Sequence, residues 1–194
     1  MNKILILFAH PLLEKSRIHK SLLKSLPTSE NITFRDLYEL YPDFNIDVKK
    51  EKQLLLEHDI IIWQHPVYWY SVPPLLKQWI DVVLEFGWAY GPGGNKLQGK
   101  FIFNAISSGG QQAVYSPEGK NRFTIRQFLA PLDQTAVLCH LTYLPPFVVH
   151  GTHLLNNDQI NEYAKQYRLL LLKLESEPVI TDEFQKVKYL NELV

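Results

Sequence analysis

The sequence has very little cysteine, and this excludes several kinds of chemistry. Cys139 is the only cysteine among 194 residues, so an internal disulfide, a CxxC redox motif and a thiolate zinc site are all excluded. His150 and His153 lie close enough in sequence to bind one metal ion together. However, neither a carboxylate nor a further histidine lies at a supporting spacing, so we expect no metal site.

The chain also lacks an excess of charge of either sign. It contains 20 Lys and Arg residues and 20 Asp and Glu residues, and its isoelectric point is near 7.1. A chain balanced in this way lacks the broad electrostatic surface that attracts nucleic acid or anionic lipid. We therefore expect no nucleic-acid partner.

Long hydrophobic runs are missing as well. The first apolar run, residues 4–9, is followed by His10 and Pro11, and it is too short for a signal peptide or a membrane span. We therefore expect a cytoplasmic protein. What the chain does contain is 46% apolar residues, enough for the core of one domain, and 12% aromatic residues with four tryptophans.

Apolar runs alternate with amphipathic segments along the chain, which predicts alternating strands and helices. Continuous Ile and Leu runs are typical of strands that are buried on both faces of a parallel sheet. We predict five strands, near residues 4–8, 31–37, 59–64, 100–107 and 143–151. We predict helices over residues 16–26, 48–57, 73–86, about 122–139 and about 158–174. Such alternation indicates an α/β fold, with one domain over residues 1–176 and a tail, residues 177–194, that packs on the domain or on a dimer mate.

Three loops at the carboxyl ends of strands carry the polar and aromatic residues expected of a ligand site. The first, residues 10–19, lacks the glycine motifs of dinucleotide and P-loop sites. Its Ser16 is a candidate N-cap, and the helix amides behind it can bind an anion; an ordinary cap beside a surface Arg17 is the alternative. The second loop clusters aromatic rings after His65, which suits a flat ligand or a protein interface. The third, from Ser107, contains two glycines that allow close backbone approach or simply form a turn.

Several segments, in order along residues 3–175, together resemble one known family. These segments are AHP followed by Ser16 and a helix, HPVYWYSVPPLLKQWID, GWAYGPGG, SSGG followed by a tyrosine, and YLPPFVVHG. They resemble the flavodoxin-like NAD(P)H:quinone oxidoreductases, in particular the ancillary quinone oxidoreductases of bacterial glutathione-gated potassium-efflux systems. The resemblance implies a flavodoxin-like three-layer sandwich with a five-stranded parallel sheet of order 2-1-3-4-5. It also implies a flavin, FMN in preference to FAD, and two-electron ping-pong hydride transfer from NAD(P)H through flavin N5 to a quinone.

The same resemblance assigns residues to the flavin and the substrates. The flavin phosphate would be held by His10, Ser16, Arg17, Ile18 and His19. The ring system would be lined by Pro66, Val67, Tyr68 and Trp69. Its pyrimidine end would be bound by Ser107, Ser108, Gly109 and Gly110. Tyr115 would be the catalytic residue, and the substrate pocket of a homodimer would contain Tyr70, Trp88 and Tyr90, the last two contributed by the neighbouring subunit.

Two positions depart from the family pattern. His19 stands where many relatives have asparagine, which alters one hydrogen bond near the phosphate. Asn121 stands where vertebrate quinone reductases have a histidine that pairs with the tyrosine. We therefore expect Tyr115 to act alone or with water.

A second class of function is a regulatory subunit that binds a potassium-efflux transporter at the inner face of the cell membrane. The apolar residues of the tail, Phe184, Val187, Leu190 and Leu193, could bind such a partner or pack on their own domain. An electron-transfer flavodoxin is disfavoured, because such carriers are strongly acidic and this chain is neutral.

Overall fold

The computed structural model describes residues 1–179 and 181–194. Its centre is a parallel sheet formed by β1 (Ile4–Phe8), β2 (Ile32–Asp36), β3 (Ile60–Pro66), β4 (Phe101–Ser107), β5 (Thr142–Tyr143) and β6 (Phe147–Val149). The strands stand in the order β2-β1-β3-β4-β5, and β6 also pairs with β4. In register, Ile4 lies between Ile32 and Ile60. The predicted flavodoxin-like order 2-1-3-4-5 is confirmed.

Helices cover both faces of this sheet. They are α1 (Arg17–Lys24), α2 (Leu37–Leu40), α3 (Val48–Glu57), α4 (Pro74–Val83), α5 (Ile125–Phe128), α6 (Ala130–Leu138), α7 (Asn157–Ser176) and α8 (Thr181–Gln185). Short 3-10 helices lie at Leu13–Lys15, Gln112–Val114 and Leu190–Leu193.

Side chains along the central strands point alternately to the two faces of the sheet, and this divides the core into two layers. Leu5 and Leu7 of β1 pack with α3, α4 and α6 on one face of the sheet. Ile4 and Ile6 pack with α1 and α7 on the other face. Because successive side chains point to opposite faces, β1 is buried on both faces, and all five of its residues are apolar. The predicted three-layer sandwich is therefore confirmed.

The helix predicted over residues 122–139 is wrong as one element. Arg122 has a positive φ of 62°, and α5 begins only after Thr124, which forms a capping box with Gln127. A second helix, α6, then starts with Pro131 in its first turn. Proline has no N–H to donate to a carbonyl four residues earlier, so Pro131 fits at the start of a new helix and not inside a longer one.

The fifth predicted strand is divided into β5 and β6. Pro145 and Pro146 lie between them, and neither can donate a ladder hydrogen bond. Both halves nevertheless pair with β4, Phe101 opposite Thr142 and Ala105 opposite Phe147. The sheet thus keeps five strand positions but has six strands within the described residues.

The C-terminal segment packs on the domain itself. Phe184 and Leu190 are buried in the core layer shared with α7, and Val187 and Leu193 lie partly buried against that layer. Asn191 accepts a hydrogen bond from the amide of Val148 at 2.8 Å and donates one to its carbonyl at 3.2 Å. The apolar side chains considered for partner docking are therefore occupied within the chain.

None of the helices in residues 1–179 and 181–194 combines the length and the apolar character that crossing a bilayer requires.

Candidate functional site

Two adjoining clefts open at the carboxyl edge of the sheet. The first, the helix cleft, has a volume of about 570 Å³ and reaches from α1 to His10, Pro66 and Ser107, at the ends of β1, β3 and β4. The second, the tyrosine cleft, has a volume of about 400 Å³ and is lined by Trp69, Tyr70, Gly110, Tyr115 and Asn121. Val67 lines both clefts. Each volume lies in the range of small-molecule sites, and the two clefts adjoin at Val67.

The helix cleft ends at the N-terminus of α1. Ser16 caps this helix, and its Oγ accepts a hydrogen bond from the amide of His19 at 3.1 Å. The amides of Arg17 and Ile18 have no helical acceptor, because they belong to the first turn. Unpaired amides at the positive end of a helix dipole favour an anion. Ser16, Arg17 and Ile18 all line the cleft.

Side chains around this helix end add donors and positive charge. The guanidinium of Arg17 is held by the carbonyl of Leu155 at 3.1 Å and Oδ1 of Asn157 at 2.9 Å. His10 Nδ1 accepts from the amide of Leu12 at 3.1 Å. Burial lowers the pKa of His10, although Glu14 acts in the opposite direction. The neutral ring of His10 therefore carries its proton on Nε2, where it can donate.

His19 does not line the cleft with its side chain. The ring is fully buried beneath it, and Nε2 lies 2.9 Å from Ser107 Oγ. Burial lowers the pKa of His19 well below its ordinary value, and His10 and His65 act in the same direction. The ring thus contacts two residues that line the cleft, Ser107 by a hydrogen bond and His10 by an edge-on ring contact with centroids 5.1 Å apart.

A tight turn carries the aromatic residues that follow β3. Tyr68 and Ser71 exchange backbone hydrogen bonds at 3.2 and 3.0 Å, and Trp69 and Tyr70 between them have positive φ values of 47° and 64°. Two such residues are the signature of a type I′ turn, where Gly and Asn are preferred because most other side chains are strained at positive φ. The turn leaves the Trp69 side chain 91% exposed. Strain of this kind is concentrated at functional sites.

The tyrosine cleft brings Tyr115 against the glycine loop. A Cβ placed on Gly110 would lie 2.9 Å from Val114 Cγ2 and 3.2 Å from the Tyr115 hydroxyl. Glycine is therefore needed at position 110 because a larger residue would collide with these two side chains. Its backbone does not require glycine, because neither Gly109 nor Gly110 has a positive φ. Tyr115 is buried, and its hydroxyl has no hydrogen-bond partner among the described residues.

Ser108 lies behind this loop and lines neither cleft. It is buried, and its Oγ donates to the Gly110 carbonyl at 3.2 Å and lies 3.2 Å from His150 Nδ1. Its side chain therefore supports the loop from the side away from the clefts.

The flavodoxin-like fold family model matches residues 2–171. The chain belongs to this family. It is similar to the glutathione-regulated potassium-efflux system ancillary protein KefF of Salmonella arizonae, 46% identical over 175 residues that cover 87% of this chain and 95% of the relative. General stress protein 14 of Treponema denticola, solved in complex with FMN, has a TM-score of 0.84 and 38% identity, covering 89% of this chain and 99% of that one. An NADPH-quinone reductase from P. pentosaceus has a TM-score of 0.77 and 30% identity, covering 86% and 95%.

Two residues that we predict to line the substrate pocket, Trp88 and Tyr90, lie away from both clefts. Trp88 is half-buried under Lys52, whose Nζ lies 4.8 Å from its ring centroid. Tyr90 is half-buried beside the exposed ring of Phe86, with centroids 5.8 Å apart. Neither lines the helix cleft or the tyrosine cleft, so a role in a substrate pocket there requires a second copy. That role stays a prediction.

Sequence reasoning missed several residues of this flavodoxin-like site. The helix cleft is also lined by Leu12, Lys15, Thr152 and His153, and the tyrosine cleft by Val114 and Lys120. Thr152 and His153 follow β6, and the rule that ligands bind at the carboxyl ends of strands applies to that loop as well. Of these two residues, the sequence pattern singles out only His153, as a candidate metal ligand. Across residues 1–179 and 181–194, no group of three or more His, Cys, Asp or Glu side chains is arranged to hold a metal ion.

Proposed function

We propose that this protein is a flavin-dependent NAD(P)H:quinone oxidoreductase that uses FMN. The observation that carries the proposal is that two clefts of different character adjoin at Val67. One end offers unpaired helix amides and cations, and the other offers aromatic rings and backbone. The FMN complex of the Treponema denticola relative and the quinone reductase from P. pentosaceus support the same assignment.

The residues present fit such a cofactor. The α1 end provides the amides of Arg17 and Ile18, with the Lys15 side chain beside them, which suits a phosphate group. Pro66, Val67 and Tyr68 form an apolar and aromatic wall next to it, which suits a flat ring system. We propose that Gly109 and Gly110 bring the backbone close to the polar edge of that ring.

When bound, a flavin supplies hydride and electron chemistry that protein side chains lack, from NAD(P)H to a quinone. The protein's own contribution is positioning and electrostatics. We assign to the Tyr115 hydroxyl a donated hydrogen bond toward negative charge that develops in the tyrosine cleft. The exposed turn at Trp69 and Tyr70 leaves this cleft open, so that donor and acceptor molecules can exchange in it.

Substitution of Tyr115 tests this role. Tyr115→Phe removes one donor and keeps the ring, so we expect turnover with NAD(P)H and a quinone to fall about tenfold to a hundredfold while FMN stays bound. Tyr163→Phe on α7, which lines neither cleft, is the matched control. Unchanged quinone reduction by Tyr115→Phe would remove the catalytic role.

A second candidate function is favoured by the 46% identity to KefF. We propose it as an added role, in which this protein binds a potassium-efflux transporter and helps to activate it. Since Phe184 and Leu190 are buried within the chain, the partner would bind elsewhere. Potassium efflux should be measured in cells that express the transporter with wild-type or Tyr115→Phe protein. Equal activation by both means that binding suffices, and no activation by either contradicts this role.

A further inference from the structure

Two buried hydrogen-bond chains connect the core to the edge of the helix cleft. In the first, the Tyr167 hydroxyl donates to Gln64 Oε1 at 2.9 Å. Gln64 Nε2 lies 3.4 Å from His19 Nδ1, and His19 Nε2 lies 2.9 Å from Ser107 Oγ. Tyr167, Gln64 and His19 are completely buried.

The second chain is built from the same kinds of residue. The Tyr143 hydroxyl donates to Asn104 Oδ1 at 2.5 Å. Asn104 Nδ2 lies 2.9 Å from His65 Nε2, and His65 Nδ1 lies 2.9 Å from the carbonyl of Pro66. Each chain therefore runs from a tyrosine through an amide side chain to a histidine and then to a residue of the helix cleft.

The carbonyl of Pro66 fixes which groups donate and which accept along the second hydrogen-bond chain. A carbonyl only accepts, so His65 Nδ1 must carry a proton. Burial lowers the pKa of His65 to about 4, so the ring is neutral at pH 7 and Nε2 is an acceptor. Asn104 must then present its NH₂ group to the ring, which leaves its Oδ1 for the Tyr143 hydroxyl.

The side-chain amide of Gln64 sets which groups donate and which accept along the first hydrogen-bond chain. Its carbonyl oxygen accepts from Tyr167, and its NH₂ group faces His19 Nδ1, which is therefore an acceptor. The neutral ring then carries its proton on Nε2 and donates to Ser107 Oγ. Because Ser107 has one hydroxyl hydrogen and receives another bond from His19, its own hydrogen is available to the helix cleft.

We propose that Gln64 and Asn104 are positioning residues that hold His19 and His65 in opposite tautomers and so fix which groups at the edge of the cleft donate. His19 is held with its proton on Nε2, and Ser107 becomes a donor into the cleft. His65 is held with its proton on Nδ1, and the Pro66 carbonyl is engaged by it. The consequence for FMN binding rests on the proposed function, whereas the tautomers do not.

The tautomers can be measured on the apoprotein. Two-bond ¹H–¹⁵N correlation spectra of histidine-labelled protein at pH 7 distinguish the two ring nitrogens, with His19→Asn and His65→Gln variants for assignment. We expect His19 to show protonated Nε2 and His65 to show protonated Nδ1. The same tautomer in both rings, or a protonated Nδ1 in His19, would overturn the proposal.

Gln64→Glu reverses the first chain, because a carboxylate only accepts. We expect the proton of His19 to appear on Nδ1, with the His65 signals unchanged. If this variant does not fold, Tyr167→Phe frees the Gln64 amide to turn, and we expect His19 signals from both tautomers. A single unchanged tautomer of His19 in the folded variant contradicts the positioning role.

FMN affinity separates this inference from the proposed function. Ser107→Ala and Gln64→Glu should each weaken FMN binding about fivefold to tenfold, and the double variant should lose no more than either alone. Ser25→Ala at the far end of α1 is the control. If the tautomers are as expected but FMN does not bind the wild type, the proposed function fails and the tautomer assignment stands. Additive losses in the double variant contradict the link between Gln64 and Ser107.

Discussion

The two clefts are built in different ways. Around the helix cleft, Ser16 caps α1, and the His19 ring is enclosed and bonded on both nitrogens. At the tyrosine cleft, Trp69 and Tyr70 are exposed and held in left-handed conformations. The first arrangement is polar and hydrogen-bonded, and the second is aromatic and strained. The difference suggests a division of tasks, in which one cleft anchors a ligand and the other stays open to molecules that come and go.

A bulkier residue at Gly110 should have the largest effect, and it should act mainly on the tyrosine cleft. In Gly110→Val, the added atoms press on Val114 and Tyr115. A displacement of about 1 Å at a reacting group costs about a hundredfold in turnover. We expect such a loss in quinone reduction, with FMN affinity changed far less.

Gly109→Ala is the comparison for this variant, because its Cβ would meet only the His153 side chain, at 3.0 Å. Equal losses from the two substitutions would contradict the role of Gly110 in placing Tyr115.

The buried histidines should make stability depend on pH. Burial lowers the pKa values of His10, His19, His65 and His150 in the folded protein. Below about pH 6.5, the unfolded chain takes up protons that the folded chain refuses, so stability is present above this pH and is lost as pH falls toward the folded pKa values. Each histidine that stays neutral contributes about 1.4 kcal/mol per pH unit in this window.

Urea unfolding of wild type and His19→Asn at pH 6.5, 5.5 and 5.0 checks this prediction. We expect the variant to lose less stability over this range, because it has one histidine fewer to protonate on unfolding. Parallel pH profiles for the two proteins would show that His19 is not held neutral.

Removing a positive charge at the N-terminus of α1 should weaken FMN binding. The expected factor is smaller than the loss of turnover expected for Gly110→Val. Arg17→Met deletes a cation that lines the helix cleft, and we expect FMN affinity to fall about tenfold. Riboflavin, which lacks the phosphate, should bind both proteins equally. Lys20→Met, on the same helix but outside the cleft, is the control. An equal loss for riboflavin would contradict a phosphate site at α1.

An effect of comparable size, on stability, is expected at the strained turn. Trp69→Asn with Tyr70→Gly places the residues that a type I′ turn prefers, so we expect the free energy of unfolding to rise by about 1 to 2 kcal/mol. The same change removes two rings from the tyrosine cleft and should raise the KM for a quinone. Thermal unfolding and steady-state kinetics measure the two effects. A less stable double variant would show that the turn is not strained.

The sequence patterns are informative where one physical cause dominates. The apolar runs of β1 and β3 predict strands because both faces of the sheet are covered, and Ser16 predicts the start of α1 because capping is local. The division at Pro131 is also local, but apolar spacing across residues 122–139 conceals it. The burial of His19 depends on Gln64 and Ser107, which come from two other strands. No pattern around His19 contains that information.

Local sequence patterns also fail to predict which residues line the clefts. Their residues come from loops that follow several strands, and the role of Gly110 depends on a contact with Tyr115 that only the folded loop creates. The family resemblance, and not a local pattern, assigns Trp88 and Tyr90 to a substrate pocket. Within one chain, however, the contacts of the Trp88 and Tyr90 rings with Lys52 and Phe86 place them outside the clefts.

The central claim is that the joined clefts hold a flavin, and the most direct test is the visible spectrum of the purified protein with mass analysis of any released cofactor. We expect flavin absorption bands and the mass of FMN, or restoration of both when FMN is added to colourless protein. A colourless protein that fails to bind added FMN or FAD would contradict the claim.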